Sequence, residues 1–269
     1  MSRRGAVAAS LTMLTIGLAF LFGTPVKFDP NVIDPHWYGV PLSPCFVNAK
    51  ACFGHTLGTD ELGRDVLARL VVGGRVSLGL SLIAVVLELI FGIIFDAVSH
   101  IGGVVLKFII ARFAEAISCF PAWPFLLGMT VIGRPPSQAT LSGFVFAALT
   151  ATLFWPRVMR LVAAAGSVRG AIPVVLNQAA LDWAQIIALL AAVDFTGFGI
   201  QPPTASWGDM LVDWPEKLTL DWWSVLFPAL CLFSAVLVIE IVRRLMFAKA
   251  AAVTDWFPKM VDQDGGVER

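Results

Sequence analysis

The sequence predicts an all-α fold, a polytopic membrane bundle of about six transmembrane helices. Three observations carry this. Of 269 residues, 58% are hydrophobic and 14% charged, well under the roughly 25% charge usual for soluble domains. The apolar residues gather into runs that reach the ~17 residues a helix needs to cross hydrocarbon. The basic residues cluster near alternate ends of those runs, as the positive-inside bias requires. Formal net charge is zero, which gives no reason to expect nucleic-acid binding.

The first run covers residues 6–22, after Arg3 and Arg4. A signal peptide also begins with basic residues and an apolar core, but no A-x-A-type site follows, so a retained first helix is expected. A loop rich in Pro, Asp and Asn covers residues 24–55. Next comes a polar island, residues 57–70. Gly58 and Gly63 bracket Asp60 and Glu61, and Arg64-Asp65 opens a helical run. Thr59 or Asp60 is the expected N-cap, because a short side-chain oxygen there satisfies orphan N–H groups. Val66, Leu67 and Leu70 then share an apolar face, with Arg69 off it.

The second span is expected over residues 76–98 and contains Glu88. A carboxylate there is costly in hydrocarbon, so it should face other helices or water. A turn at 100–103 leads to a third span over 104–132, carrying Lys107, Arg112 and Glu115, the last two spaced to pair. Phe120-Pro121 and Pro124 interrupt that span, and neighbouring helices can re-satisfy the backbone there. A turn at 133–137 precedes the fourth span, 139–155. The fifth, 172–198, holds Asp182 and Asp194, and the sixth, 222–241, ends near Glu240. The tail beyond Asp255 is short and charged.

Putting the N-terminus inside places Arg3, Arg4, Lys107, Arg112, Arg157, Arg160, Arg169, Arg243, Arg244 and Lys249 on the inner side. The polar island then faces outward, and both termini are cytoplasmic. Residues 1–75 form a first helix and outward loop, 76–247 the core transmembrane domain, and 248–269 a short cytoplasmic tail.

Catalytic signatures are missing. The sequence has no G-x-x-x-x-G-K-[ST] phosphate loop, no H-E-x-x-H, no Cys-x-x-Cys and no G-x-S-x-G. His36, His55 and His100 are too scattered to suggest a metal site, and no cofactor is implied. Cys45 and Cys52 share the long loop and could form a disulfide in an oxidising compartment. Cys119 and Cys231 read as packing residues within spans. Trp37, Trp155, Trp207, Trp222 and Trp223 read as an interfacial aromatic belt. The intramembrane acids Glu88, Asp182 and Asp194 are pathway candidates, since such groups usually face the bundle interior.

The run LGTDELGRDVLARLVVGGRVSLGL, residues 57–80, resembles the segment after the first transmembrane helix in permease subunits of the peptide/nickel family of ABC importers. FTGFGIQPPTASWG, residues 195–208, is similar to that family's segment near its fifth helix. Ala111-Arg112-Phe113-Ala114-Glu115, followed by Phe120-Pro121, is similar to its arginine–acid–Phe-Pro pattern. The resemblance extends from about His55 to Phe247. It implies an inner-membrane, multi-pass permease for peptides, nickel or related small solutes. It also implies a second permease subunit, ATPase subunits that hydrolyse the ATP, and an extracytoplasmic solute-binding protein. Gly58, Thr59, Asp60, Gly63, Arg64 and Asp65 would organise the outward segment.

One departure stands out. Members of this family couple to the ATPase through a loop between the fourth and fifth spans, patterned on Glu-Ala-Ala, a Gly, then Ile and Leu-Pro. Here residues 160–173 read RLVAAAGSVRGAIP. The glutamate is missing and the loop is much shorter. Arg157, Arg160, Ala164, Ala165, Gly166, Arg169, Ile172 and Pro173 are the coupling candidates. Either the loop is compressed and still docks, or coupling is lost or left to the partner permease. Two other classes remain open from sequence: an ion-coupled transporter or channel using Glu88, Asp182 and Asp194, and a non-transporting scaffold derived from a permease.

Overall fold

The computed structural model describes residues 29–47, 54–132 and 139–254. The first expected span, the turn at 133–137, Cys52 and the tail beyond Thr254 lie outside these residues. The described chain is helical, in the order α1 (Val66–Ile101), α2 (Gly103–Ser118), α3 (Ala122–Ile132), α4 (Ala139–Ala165), α5 (Val168–Phe195), a 3₁₀ turn (Asp209–Leu211), α6 (Trp214–Leu220) and α7 (Trp222–Thr254). Among the described residues, four stretches are long and apolar enough to cross a membrane: Val66–Ile101, Gly143–Ala165, Val168–Phe195 and Trp222–Met246.

The long helix α1 is capped by Asp65, not by Thr59 or Asp60. Its carboxylate accepts from the Ala68 N–H at 2.6 Å. The two expected caps are occupied one turn earlier. Thr59 Oγ1 accepts from the Leu42 N–H at 2.8 Å, and Asp60 Oδ1 accepts from the N–H groups of Leu62 and Arg64 at 3.0 and 2.9 Å. The helix ends at Ile101, and the next turn depends on Gly103, whose φ of 69° suits only a residue without a Cβ.

The expected third span is broken. Helix α2 stops at Ser118 and α3 starts at Ala122, and each is shorter than a membrane crossing needs. Pro121 lacks an N–H and its ring opposes a continuing helix; Phe120, before it, is pushed out of the α region. Pro124 falls in the first turn of α3, where no intrahelical N–H is lost. Cys119 therefore sits exposed at this break and not within a span. Arg112 and Glu115 do pair, at 2.6 Å.

The core lies where α1 packs along α4 and α5. Ala84, Val85, Phe146, Ala147, Phe154, Ile186, Leu190 and Val193 form its centre, with Leu126 of α3 inserted. Close approach of α1 and α4 depends on Gly92, because a Cβ there would collide with the Val158 side chain. Trp155 departs from the belt reading. It is buried within α4 and stacks on Phe95 of α1, ring centroids 4.1 Å apart. On the other side of α5, Ala184 and Ile187 pack with Leu70, Leu78, Trp207 and Ile239. Long apolar stripes on α1 and α7, including Val86, Ile90, Ile94, Leu230, Phe233 and Leu237, remain uncovered. A stripe of this kind suits hydrocarbon, not water.

Candidate functional site

Three polar assemblies punctuate this apolar bundle. The first gathers at the N-terminal end of α1. There the chain turns sharply at Gly58 and Gly63, with φ of 81° and 77°. A Cβ on Gly58 would strike the Leu42 carbonyl oxygen, and one on Gly63 that of Asp34. The resulting tight loop places Thr59 and Asp65 in an isolated bridge. Asp65 uses both oxygens, one for the cap and the other for His55 Nδ1 at 2.7 Å. Asp60 Oδ2 accepts from Arg64 Nε at 2.7 Å.

Arg69 joins this loop to a segment 140 residues away. Its side chain, 4% exposed, lies 3.7 Å from Asp60 and donates to Asp209 Oδ2 at 3.2 Å. Sequence periodicity had set it off the apolar face. It is buried because Asp60, in the loop before α1, and Asp209, far along the chain, both meet it there. The Trp207 indole N–H donates to the Leu70 carbonyl at 2.8 Å, and that of Trp223 donates to the Thr59 carbonyl at 3.0 Å. Both rings are buried, so these tryptophans pin loops together and form no exposed belt. The two segments singled out by sequence, 57–70 and 195–208, thus meet in space.

Asp194 organises the second of those segments. Its two oxygens accept from the Ile200 N–H at 2.8 Å and the Ser206 hydroxyl at 2.6 Å. Ser206 Oγ in turn accepts from the Asp209 N–H at 3.0 Å. Gly199 and Gly208 lie so close to Asp194 that a Cβ on either would overlap it. Lys217 is buried beside this assembly and donates to the Val212 carbonyl at 2.6 Å. Burial raises the Asp209 carboxyl above its ordinary range, while Arg69 and Lys217 oppose the shift. Burial likewise pushes Asp221 up to about 6, with Ser224 opposing the shift. Sequence reasoning missed Arg69, Lys217 and Asp221. Arg69 is defined by its contact with Asp209, 140 residues away, Asp221 by its burial in the folded chain, and Lys217 by carbonyls of the loop just before it.

The second assembly lies within the bundle. Arg157 of α4 donates to Asp182 Oδ1 at 2.7 Å and to Gln185 Oε1 at 3.1 Å, both on α5. Gln178 Nε2 lies 3.1 Å from both Asp182 oxygens. The Arg157 guanidinium also stacks over Phe154, 4.4 Å from the ring centroid. Glu88 of α1 is fully buried, with Asp182 and Arg157 as its charged neighbours. The structure therefore brings Glu88 and Asp182 together. Asp194 belongs to the separate assembly at the other end of α5, so the three acids do not line one continuous site.

The third is the hairpin between α4 and α5. Only Gly166 and Ser167 separate the helices. Gly166 has φ of 68°, and Ser167 caps α5 by accepting from the Gly170 N–H at 3.1 Å. Ala164, Ala165, Gly166, Arg169, Ile172 and Pro173 are exposed around this tip. Pro173 falls within the first turns of α5. Arg160, further down α4, donates to Ser118 Oγ at 3.0 Å. Arg243 links α7 to α5, holding Glu240 at 2.6 Å and Asn177 Oδ1 at 3.0 Å.

No cluster of metal-ligating side chains occurs among the described residues. Cys45 is disulfide-bonded.

No protein-family model matches the chain. Individual proteins do. The di/tripeptide transport system permease protein of Pseudomonas aeruginosa is 30% identical over 259 residues, covering 88% of this chain and 84% of the relative. The dipeptide transport system permease protein of Escherichia coli K12 is 32% identical over 216 residues, covering 73% and 72%. The oligopeptide transport system permease protein of Haemophilus influenzae is 28% identical, covering 86% and 79%. With 30% identity sustained over most of both chains and both sequence segments joined at one end of a helical membrane bundle, the chain belongs to the permease family of dipeptide and oligopeptide ABC importers.

Proposed function

We propose that this chain is one of two permeases enclosing the translocation pathway of an ATP-driven importer for peptides, nickel or related small solutes. ATP is hydrolysed on separate ATPase subunits, and a solute-binding protein delivers the solute from outside. The pathway alternates between outward- and inward-open states. The α1 loop assembly faces outward, where Gly58, Thr59, Asp60, Gly63, Arg64 and Asp65 shape the surface that receives the binding protein. The α4–α5 hairpin faces inward, and both termini are cytoplasmic. Residues 1–75 form the first transmembrane helix and outward loop, 76–247 the core transmembrane domain and 248–269 the short cytoplasmic tail.

The observation that carries this reading is the meeting of segments 57–70 and 195–208 through Arg69–Asp209 and Trp207–Leu70, in a chain whose relatives are named peptide transport permeases. Asp182, tied to Arg157, and the neighbouring Glu88 sit beside the pathway and set the registry of α1, α4 and α5.

Coupling in this chain is unusual. The two-residue link between α4 and α5 leaves no separate docking helix, so ATPase contact falls on the exposed tip around Ala164, Ala165, Gly166, Arg169, Ile172 and Pro173, or on the partner permease. The same short link favours a second reading, a permease-derived scaffold without its own coupling.

Pull-down of the tagged chain in mild detergent tests both. Recovery of a second permease and an ATPase supports the importer. Loss of the ATPase on deleting residues 163–170 assigns docking to this tip, and its retention assigns docking to the partner. A permease partner without ATPase, and no ATP-dependent peptide uptake, favours the scaffold. Recovery of neither overturns the importer reading.

A further inference from the structure

A groove runs beside α1 and borders the 195–208 segment through Ile200 and Thr204. Its volume is about 270 Å³, and its lining includes Arg75, Gly79, Leu80, Ile83, Phe144 and Thr204. Arg75, Gly79 and Ile83 follow one another at helical i,i+4 spacing along one face. A Cβ at Gly79 would meet no neighbouring atom within 4 Å, so the absence of a side chain there leaves the groove open.

The position of Arg75 along α1 gives the groove its meaning. Between Arg75 and Asp96 lie about 20 residues, roughly 30 Å of helix, the thickness of a bilayer's hydrocarbon core. Within that stretch only Glu88 is ionisable, and it is turned into the bundle. Arg75 therefore stands at a headgroup level, and Gly79, Leu80 and Ile83 descend from it into hydrocarbon. Arg75 and Thr204 are the polar residues among those that line the groove. The other walls are aliphatic and aromatic, with Ile83 and Phe144 open to the outside of the bundle.

We propose that this groove is a binding site for a membrane phospholipid, with Arg75 and Thr204 taking the phosphate and one acyl chain lying over Gly79 between Leu80, Ile83 and Phe144. Charge complementarity selects the headgroup, since a guanidinium binds phosphate oxygens with geometric specificity. Basic pockets between transmembrane helices suit lipid headgroups in the same way. The walls argue against a peptide as occupant. They include no carboxylate among the described residues to meet an ammonium group. The site does not depend on ATPase coupling or on which end of the chain faces outward.

Native mass spectrometry of the full chain in mild detergent, titrated with phosphatidylglycerol or with diacylglycerol of the same chains, tests the proposal. Phosphatidylglycerol is expected to bind at least fivefold more tightly than diacylglycerol. Gly79→Leu, which fills open space, and Arg75→Gln each lower its retention at least fivefold. Arg75→Lys keeps half or more, and Leu230→Ala, on the exposed face of α7, changes nothing. If Gly79→Leu fails to fold, Arg75→Gln decides. Equal binding of the two lipids, wild-type retention by Arg75→Gln, or displacement of phosphatidylglycerol by millimolar trialanine overturns the proposal. Since the readout is lipid retention, failure here leaves the importer reading intact.

Discussion

The buried guanidinium of Arg69 sits between Asp60, at 3.7 Å, and Asp209, at 3.2 Å. It ties the start of α1 to a loop that follows α5. Removing one partner of a buried ionic set strands the other charges and typically costs about 3–5 kcal/mol. Arg69→Ala is expected to lower the thermal unfolding temperature of the detergent-solubilised chain by well over the shift of a surface substitution. Arg64→Ala, whose side chain is 14% exposed, is expected to cost less. Equal shifts for the two would show that the bridge to Asp209 adds nothing.

Trp207→Phe keeps a large ring in the cluster with Leu70, Leu78 and Ile187 but removes the donor to the Leu70 carbonyl. A neutral hydrogen bond is worth about 0.5–1.5 kcal/mol net. Denaturant midpoints of the two proteins should differ by that amount. Trp207→Ala, which also empties the ring's space, should lose about 3–5 kcal/mol.

Asp221 supplies a pH dependence with a definite sign. Its carboxyl is pushed up to about 6 in the folded chain, against about 4 for an unperturbed aspartate. Between these values the native state holds more protons than the unfolded one, so this group's contribution falls as pH rises from about 4 to 6 and is flat above. Asp221→Asn should remove that slope and raise stability at pH 7 by up to about 2–3 kcal/mol. Thermal melts at pH 4.5 and 7.5 check it. An unchanged pH profile in the variant would exclude Asp221 as its source.

Arg157 and Asp182 should behave as a coupled pair. Arg157→Met leaves the fully buried Asp182 without its cation and is expected to destabilise by several kcal/mol. Adding Asp182→Leu should recover much of the loss, which a double-mutant cycle in unfolding free energy measures directly. Additive losses would show that the 2.7 Å contact is not an energetic unit.

Gly92→Leu should separate α1 from α4, because even a Cβ there overlaps Val158. Overpacking of this kind costs about 1–3 kcal/mol or more. Reduced protease resistance of the solubilised chain is the readout. Gly92→Ala should give a smaller loss of the same sign.

The helical bundle was legible because hydropathy and charge density act locally. The spans at α1, α4, α5 and α7 fall where the apolar runs lie, although α1 begins ten residues before the expected start of its span, at Val66. Helical order there continues into polar sequence once Asp65 caps it. The third span was not legible as one helix or two, since a proline in hydrocarbon can kink or break, and the neighbours decide. The cap was misplaced because Thr59 and Asp60 have better partners in Leu42, Leu62 and Arg64, one of them far back in the chain. Trp155 was misread for the same reason. Its ring belongs to Phe95 across the helix interface, and no window on the sequence contains both. The acids divided likewise. Glu88 and Asp182 meet, while Asp194 is spoken for by Ile200 and Ser206.

The link of Gly166 and Ser167 has a mechanical consequence. Two residues reach at most about 7 Å, so α4 and α5 have no slack at that end. They must tilt together as a single lever, with the hairpin tip at one end and Asp194, at the far end of α5, holding Ser206 and Ile200. Pro173, within the first turns of α5, lacks an N–H to hold its turn and is a point where that lever can bend.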